Sequence, residues 1–196
     1  MGRSGSGERV REGQGAPAGG ALRRLRWQAS ASSGKLGTVI ELAVQDHYPD
    51  DTAVCYGCGR LNDHGLHVRS VWEGDLSVCR FHPRPEHTAV SGYVYGGVLA
   101  SLVDCHGTGT AAAIAFREEG RGPDTQPPHR FVTASLHVDY LRPTPLGPEL
   151  RLEARLQERK GRKLVIAIDL FAEGELCVKG LVVAAPLPAK MLPVPG

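Results

Sequence analysis

The chain has 196 residues, a hydrophobic share of 41% and 25 glycines, which suits one globular domain with a core of ordinary size. The formal net charge of +2 hides an asymmetry, because residues 1–40 carry seven Lys or Arg against two acidic residues, and the remainder carries 16 against 19. The folded part is therefore slightly acidic. This charge balance argues against the concentrated basic stripe that nucleic-acid binding requires, so no nucleic-acid partner is expected.

Residues 1–40 are rich in Gly, Ser, Ala and Arg and lack apolar periodicity, which predicts a disordered extension before a domain at 41–186. The Arg-rich, acid-poor composition superficially suits an organellar transit peptide, although its glycine content fits poorly, and an extended or mis-assigned start is the alternative. A secretory signal is not expected, because the apolar run from Val39 to Val44 is short and contains Glu41. We expect no segment apolar enough to cross a bilayer, hence no membrane insertion.

The elements after the extension alternate between strand-like and helix-like patterns. Two strands, Leu66–Trp72 and Leu76–His82, are predicted to form a hairpin across the Gly-containing turn between them. An Ala-rich segment without strand alternation, Gly96–Phe116, predicts a buried helix, and residues 118–130 predict a loop. Turn residues then separate four further predicted strands: Phe131–Leu141, Glu149–Glu158, Lys163–Ala172 and Leu176–Ala184. This order predicts an α+β domain in which an antiparallel sheet covers one helix, followed by a loose tail at 187–196.

The cysteines are five in number and lack the dense spacing of a secreted disulfide scaffold, which predicts a reducing, cytoplasmic compartment. Cys55 and Cys58 have the spacing of a zinc-ligand pair, but no second pair and no His-x₃₋₅-His run completes four ligands. We therefore expect a tight Gly-containing turn with half-buried thiols, and neither a metal nor another cofactor.

The predicted helix begins directly after Tyr95 with two glycines, Gly96 and Gly97. Adjacent glycines let another group approach the backbone N–H donors at the positive end of the helix dipole. Such donors favour a developing negative charge, for example the oxyanion that a thioester carbonyl becomes during acyl transfer. The alternative interpretation is a helix start packed tightly on a neighbouring element.

Asp104 lies inside this apolar, Ala-rich helix, where a carboxylate is costly unless it is paired or functional. Helical spacing predicts that Asp104 shares one face with small residues, among them Ser101 and Thr108, which would line a path for substrate. The other members of that face are Gly97, Ala100, Gly107 and Ala111. The alternative is an aspartate hydrogen-bonded to a neighbouring strand, and helical phase does not decide between the two.

His106 is a second titratable group in the helix and could serve as acid or base near neutral pH. It lies two residues from Asp104, and residues at that spacing do not face each other on a helix. We therefore interpret His106 as a structural or interface residue rather than as a partner of Asp104.

Three segments taken together carry a family resemblance: CYGCGRLNDHGL at 55–66, YGGVLASLVD at 95–104 and VTASLHVDYLRP at 132–143. In this order they resemble the phenylacetate-type hotdog thioesterases, which are similar to 4-hydroxybenzoyl-CoA thioesterases, over about residues 50–185. The resemblance implies the hotdog fold, an antiparallel sheet wrapped around one long helix. It also implies a homodimer or dimer of dimers, with two acyl-CoA sites at an interface where sheets join edge to edge.

The resemblance also implies roles for the residues at the helix. The carboxylate of Asp104 would act as nucleophile or as the base that activates water, and the backbone at Gly96 and Gly97 would polarise the thioester carbonyl from the other subunit. Tyr95 departs from the family pattern, since many relatives carry His there, and a phenol with a pKa of about 10 is a poor base at neutral pH. Hydrolysis of acyl-CoA is thus the first hypothesis. A non-catalytic acyl-CoA-binding protein is the alternative, and a hotdog hydratase is a third option.

Cations that could contact the phosphates of CoA occur at two places. Arg159, Arg162 and Lys163 lie at a turn between two predicted strands, and Arg142 lies beside Pro143. Guanidinium and ammonium groups bind phosphate well. The alternative is a solvated hairpin turn, and the family resemblance favours contact with CoA.

Overall fold

The computed structural model describes residues 43–191, so the predicted disordered extension at 1–40 and the last residues of the predicted tail lie outside the described residues. Short 3-10 turns flank the domain and connect its parts, at Val44–His47, Asp50–Thr52, Pro85–His87 and Ala189–Met191. The main elements are β1 (Val71–Glu73), β2 (Leu76–Phe81), α1 (Gly96–Glu118), β3 (Phe131–Tyr140), β4 (Leu150–Lys160), β5 (Lys163–Ala172) and β6 (Glu175–Pro186).

The strands form one six-stranded antiparallel sheet in the order β1-β2-β4-β5-β6-β3. Its centre is apolar, with Leu152 opposite Leu170 across β4 and β5, and both side chains are fully buried. The β4–β5 turn needs a left-handed residue, which Gly161 supplies with a φ of 61°. Among the described strands, β3 pairs only with β6 and forms one edge of the sheet. The sheet, packed on one helix, confirms the predicted α+β hotdog arrangement.

The first predicted strand is shorter than expected, because it begins at Val71 and not at Leu66. The backbone N–H of Leu66 donates to the carbonyl of Tyr56 at 2.8 Å, and that of Val68 donates to Gly57 at 2.9 Å. These bonds go to the loop that carries Cys55 and Cys58. Residues 66–70 therefore hold that loop in place.

Helix α1 packs against β3, β4, β5 and β6, and two glycines allow its close approach to β6. A Cβ built on Gly107 would lie 2.6 Å from Cγ2 of Val182, and a Cβ on Gly180 would collide with Cγ1 of Val103. Gly107 is buried, so at this position the small-residue face is covered by β6 and is not open to substrate. The glycine is needed by the sheet, which covers that side of the helix.

Helix α1 is long and apolar enough to span a membrane by length and composition, so the expectation that no such segment exists was wrong. Within the domain, however, 72% of that apolar window is buried. A helix that a sheet encloses on most sides has to be apolar nearly all round, which gives it the composition of a membrane span.

A buried polar network ties α1 to the first part of the domain. His106 is fully buried, its Nδ1 accepts from the Ser70 hydroxyl at 2.9 Å, and its Nε2 donates to the carbonyl of Ser77 at 3.2 Å. Gln45 donates to Ser70, and Thr110 donates to the Ser77 hydroxyl, each at 2.9 Å. Burial lowers the pKa of His106 to about 4. The imidazole is thus a neutral structural group, in agreement with the interpretation from helical phase.

Candidate active site

The start of α1 leaves two backbone donors free. Tyr95 is the N-cap residue, and its carbonyl accepts from the N–H groups of Val98 and Leu99 at 3.0 and 3.3 Å. The first N–H groups of a helix lack intrahelical partners. Within residues 43–191 no acceptor is found for the N–H of Gly96 or Gly97. The helix therefore presents two amide donors at its positive end, as the sequence predicted.

Two tyrosine rings surround these glycines. The Tyr140 ring lies 3.4 Å from a Cβ built on Gly96, and its hydroxyl donates to the Gly96 carbonyl at 2.8 Å. The Tyr95 ring folds over Gly97, where a built Cβ would lie 2.7 Å from Cζ. Both rings are more than half exposed, at 55% for Tyr95 and 52% for Tyr140. The predicted close approach to the glycines is thus made by aromatic rings at an exposed surface.

Asp104 lies on the open side of α1 and is partly exposed. The hydroxyl of Thr133, on edge strand β3, donates to Oδ1 of Asp104. A β-bulge between Thr133 and Ser135 interrupts the register with β6 at this point, and bulges re-aim neighbouring side chains. Burial raises the pKa of Asp104; the Thr133 hydrogen bond opposes this effect, and negative charge on Cys55 adds to it. Of the two alternatives drawn from the sequence, the hydrogen bond to a neighbouring strand is present, and the acid is also partly exposed.

The free amides and the carboxylate do not meet within one chain. Gly97 and Asp104 are seven residues apart on α1, which is about 10 Å along a helix axis. A single carbonyl group is too small to contact both at once. A site that uses both groups therefore needs a second copy of the helix.

Ser101 and Thr108, predicted to line the substrate path, are partly exposed on the same face as Asp104. Their hydroxyls donate to helix carbonyls, Ser101 to Gly97 at 2.9 Å and Thr108 to Asp104 at 3.2 Å. The hydroxyl oxygens remain available as acceptors. Ala111, assigned to the same face from the sequence, is fully buried and does not contribute.

The predicted phosphate contacts lie at opposite ends of α1. Arg142 follows Tyr140, which contacts the helix start, and it forms an ion pair with Glu175. Arg159 forms an ion pair with Glu118, the last helix residue, about 33 Å away along the axis. Arg162 and Lys163 are exposed, and neither has an ion-pair partner in the described part of the chain. The two groups of cations are thus not brought together within one chain.

Comparison with known proteins identifies the family. The model of the thioesterase superfamily matches residues 91–179, which contain the helix start and Asp104. The crystal structure of a thioesterase superfamily protein from Shewanella loihica PV-4 is 45% identical, with a TM-score of 0.53, over 65% of this chain and 96% of that one. The chain belongs to the thioesterase superfamily. The resemblance stated from the sequence is therefore confirmed.

Other similar proteins have lower sequence identity to this chain. Rat acyl-coenzyme A thioesterase THEM4 is 30% identical over 98 residues, which are 50% of this chain but 36% of that protein. This chain thus matches about a third of the length of that curated relative. The Escherichia coli PaaI protein from the phenylacetic acid degradation operon is 14% identical with a TM-score of 0.50, over 63% of this chain and 81% of that one. At that identity the likeness shows the fold alone.

Near Asp104 lies a cluster of three thiols, which we call the thiol cluster: Cys55, Cys58 and Cys105. The sulfur atoms all lie within 4.8 Å of one another, and those of Cys55 and Cys105 are 3.8 Å apart. A hydrogen bond from Cys105 lowers the pKa of Cys55, and the same contact raises the pKa of Cys105. Sequence reasoning considered the first two thiols but missed Cys105, because it is 50 residues from Cys55 and no spacing pattern connects them. Cys55 and Cys58 precede the region that the superfamily model matches.

Proposed function

We propose that this chain hydrolyses an acyl-CoA thioester to a free acid and CoA. The observation that carries the proposal is Asp104, a partly exposed carboxylate with a raised pKa on the open face of a helix. A buried or half-buried acid without a cationic partner is costly, and such groups concentrate at functional sites. The name of the THEM4 relatives, acyl-coenzyme A thioesterase, supports the substrate class.

In the proposed reaction Asp104 either accepts a proton from the attacking water or attacks the thioester carbonyl carbon itself. The carbonyl oxygen becomes negative in either case, and the N–H groups of Gly96 and Gly97 stabilise it. The carbon–sulfur bond then breaks, and the CoA sulfur leaves and takes up a proton. In the route by direct attack, water then cleaves the acyl–Asp104 anhydride, which releases the acid and regenerates the carboxylate. In both routes water supplies the oxygen and the hydrogen that the two products gain.

We propose that the site forms between two subunits, since Asp104 and Gly97 are too far apart within one chain. Strand β3 offers the surface for this contact, because it is an edge strand whose backbone is unpaired on one side. It also exposes apolar side chains, with Leu136 at 40% and Tyr140 at 52%. Pairing of two β3 edges by a twofold axis would bring each Asp104 towards the partner's helix.

For CoA recognition we propose Arg162 and Lys163, which lack ion-pair partners in the described part of the chain and can receive phosphate at low cost. Arg142 and Arg159 would have to exchange Glu175 and Glu118 for phosphate oxygens. These two surface pairs are weak enough for such an exchange. The substrate contacts would thus come from both ends of the helix once two subunits are combined.

The test is thiol release from a panel of acyl-CoAs that differ in chain length and aromaticity. The wild type should turn over at least one of them, and Asp104→Asn should lose roughly 100-fold or more of that rate, the scale of general base catalysis. Asp75→Asn, a fully exposed acid in the β1–β2 turn, is the matched control and should keep full activity. Equal rates for wild type and Asp104→Asn would remove the proposal.

A non-catalytic acyl-CoA-binding protein is the second candidate, and one observation favours it. The ring of Tyr95 covers Gly97, so it competes for the space beside the free amide donors. Calorimetry with acyl-CoAs that show no thiol release would reveal such binding. A gain of hydrolysis in Tyr95→Phe would identify the hydroxyl as the obstacle. A gain in Tyr95→His alone would identify the phenol ring.

A further inference from the structure

The thiol cluster has a geometry that packing alone does not require. Cys55 and Cys58 come from one loop and Cys105 from α1, and the three sulfur atoms lie within 4.8 Å of one another. A disulfide would hold two sulfurs at about 2.05 Å, well short of the 3.8 Å between Cys55 and Cys105. Around a tetrahedral zinc ion with Zn–S bonds of about 2.3 Å, two sulfurs lie about 3.8 Å apart. The spacing of Cys55 and Cys105 therefore matches that of two thiolates on one metal ion, and the sulfur of Cys58 lies within 4.8 Å of both.

The loop is built to hold these sulfurs against the helix. A Cβ on Gly57 would collide with Sγ of Cys105, so a glycine there is what lets the loop lie on α1. The loop itself is fixed by a 2.8 Å bond from the Gly59 N–H to the Cys55 carbonyl.

A cationic residue, Arg130, lies near Cys58 of the cluster. Arg130 stacks its guanidinium 3.5 Å from the centre of the Tyr48 ring and acts electrostatically on Cys58. Its Nη2 donates to the Thr52 carbonyl at 3.0 Å, while its buried Nε has no hydrogen-bond partner among the described residues. Three thiolates on one Zn²⁺ carry a net charge of −1, and a neighbouring guanidinium compensates such a charge.

We propose that Cys55, Cys58 and Cys105 form a zinc site, with the fourth coordination position open to water. Thiolate donors in a tight cluster select zinc among the common divalent ions. Within residues 43–191 no His, Asp, Glu or further Cys joins the three. Cys55 is half-buried, whereas Cys58 and Cys105 are buried, so solvent reaches the site from the side of Cys55. The site revises the expectation of a metal-free turn and is independent of the proposed hydrolysis.

The experiment measures zinc in the untagged, full-length protein purified under reducing conditions without chelator. Elemental analysis should find about one zinc ion per chain, the stoichiometry of a single three-cysteine site. After removal of the metal, added Co²⁺ should produce thiolate-to-cobalt charge-transfer bands, and added Zn²⁺ should abolish them. Zinc should also protect Cys55, the half-buried thiol, from alkylation.

The variants separate the cluster from the other cysteines. Cys55→Ser and Cys105→Ser should lose the zinc and the cobalt bands, whereas Cys79→Ser and Cys177→Ser, which replace buried cysteines outside the cluster, should keep both. Because Cys105→Ser alters the core, Cys55→Ser at the more exposed position serves as the second variant, and circular dichroism checks both folds. Fully reduced wild type that binds neither Zn²⁺ nor Co²⁺ would overturn the proposal. Equal binding by wild type and Cys55→Ser would overturn it too.

Discussion

The side chain of Asp104 is held in a half-buried position by one hydrogen bond, from Thr133. Burial raises its pKa, so its ionised form is less stable in the folded chain than in the unfolded one. A structural acid is expected to gain stability from its surroundings, whereas a functional acid often costs stability. The change Asp104→Asn measures whether the cost of burying the charge exceeds the gain from the Thr133 hydrogen bond. Asparagine keeps the shape and the acceptor oxygen while removing the charge.

We expect Asp104→Asn to unfold at a temperature equal to or higher than the wild type at neutral pH. A group with a raised pKa destabilises the fold above that pKa, and the penalty disappears as pH falls below the ordinary aspartate pKa, because both states are then protonated. The difference between variant and wild type should therefore shrink in acid. Thermal unfolding followed by circular dichroism at several pH values checks this. A loss of more than about 1 kcal/mol in the variant at neutral pH would instead indicate a structural role.

Thr133 is the positioning residue for this acid, and its contribution can be isolated. Thr133→Val removes the hydroxyl that donates to Asp104, and hydrogen bonds to charged groups are worth about 1.5–3 kcal/mol. We expect kcat to fall roughly tenfold or more with little change in KM, since the bond orients the acid and does not bind substrate. Thr133→Ser keeps the hydroxyl and should retain most of the rate. If kcat fell equally in both variants, the effect would come from packing and not from the hydroxyl.

At the scale of elements, the helix and the sheet approach each other through reciprocal glycine–valine contacts. Gly107 on α1 faces Val182 on β6, and Gly180 on β6 faces Val103 on α1. All four are buried. Each valine fills the space that the opposite residue leaves free, which fixes the distance between helix and sheet and hence the position of Asp104 above β3.

We expect Gly180→Ala to destabilise the domain by about 1–3 kcal/mol, the cost of overpacking a well-packed core. The added methyl group meets Cγ1 of Val103, so the double variant Gly180→Ala, Val103→Ala should recover part of the loss relative to the sum of the two single changes. Gly96→Ala is the control for stability, because its Cβ would meet Tyr140 at an ordinary 3.4 Å. Urea unfolding of the wild type, the two single variants and the double variant measures the coupling between Gly180 and Val103. Strict additivity would show that the two residues do not share the strain.

Many of the helix and strand boundaries could be predicted from the sequence, because local sequence patterns determine them. The helix starts at Gly96 and β5 spans Lys163–Ala172 as predicted, since an Ala-rich run and alternating strands flanked by glycine are local signals. The start of β1 was misplaced, because the backbone of Leu66 and Val68 bonds to a distant loop.

The candidate site was predictable only in part, because local sequence patterns do not reveal contacts between residues that are far apart in the chain. Asp104 stands out as a charge in an apolar helix, which one segment of sequence reveals. Its partner Thr133 lies 29 residues away, and Cys105 lies 50 residues from Cys55. Neither pair leaves a periodic pattern, because contacts of this kind are created when the sheet closes over the helix. The burial of Gly107 under β6 was not predictable either, since a glycine in a helix indicates close packing without indicating what approaches.

For the whole molecule, the outer edge of the sheet at β3 is the feature that decides where a second chain could complete the proposed site. Strand β3 exposes Leu136 and Tyr140 at 40% and 52%, and Leu141, which follows the strand, is 49% exposed. Edge strands with apolar side chains tend to pair with another chain. The same strand carries Thr133, which holds Asp104, while Tyr140 contacts Gly96 at the helix start. An interface on β3 would therefore cover both halves of the proposed site.

A shared site predicts that two inactive variants restore activity when they are combined. Asp104→Asn removes the carboxylate, and Gly97→Pro removes one amide donor in the first helical turn, where the proline backbone is tolerated. The exposed Tyr95 ring, which covers Gly97, has to move aside for the added side chain. If each site takes its acid from one subunit and its amides from the other, the heterodimer contains one site with both changes and one site with neither. Co-expressed and tandem-purified heterodimers should then show about half of the wild-type thiol-release rate per dimer, since one of two symmetric sites is intact. Each homodimer of a single variant should stay inactive. A heterodimer as inactive as the two homodimers would show that the acid and the amides of each site lie on the same chain. The proposed pairing of two β3 edges would then not be needed for catalysis.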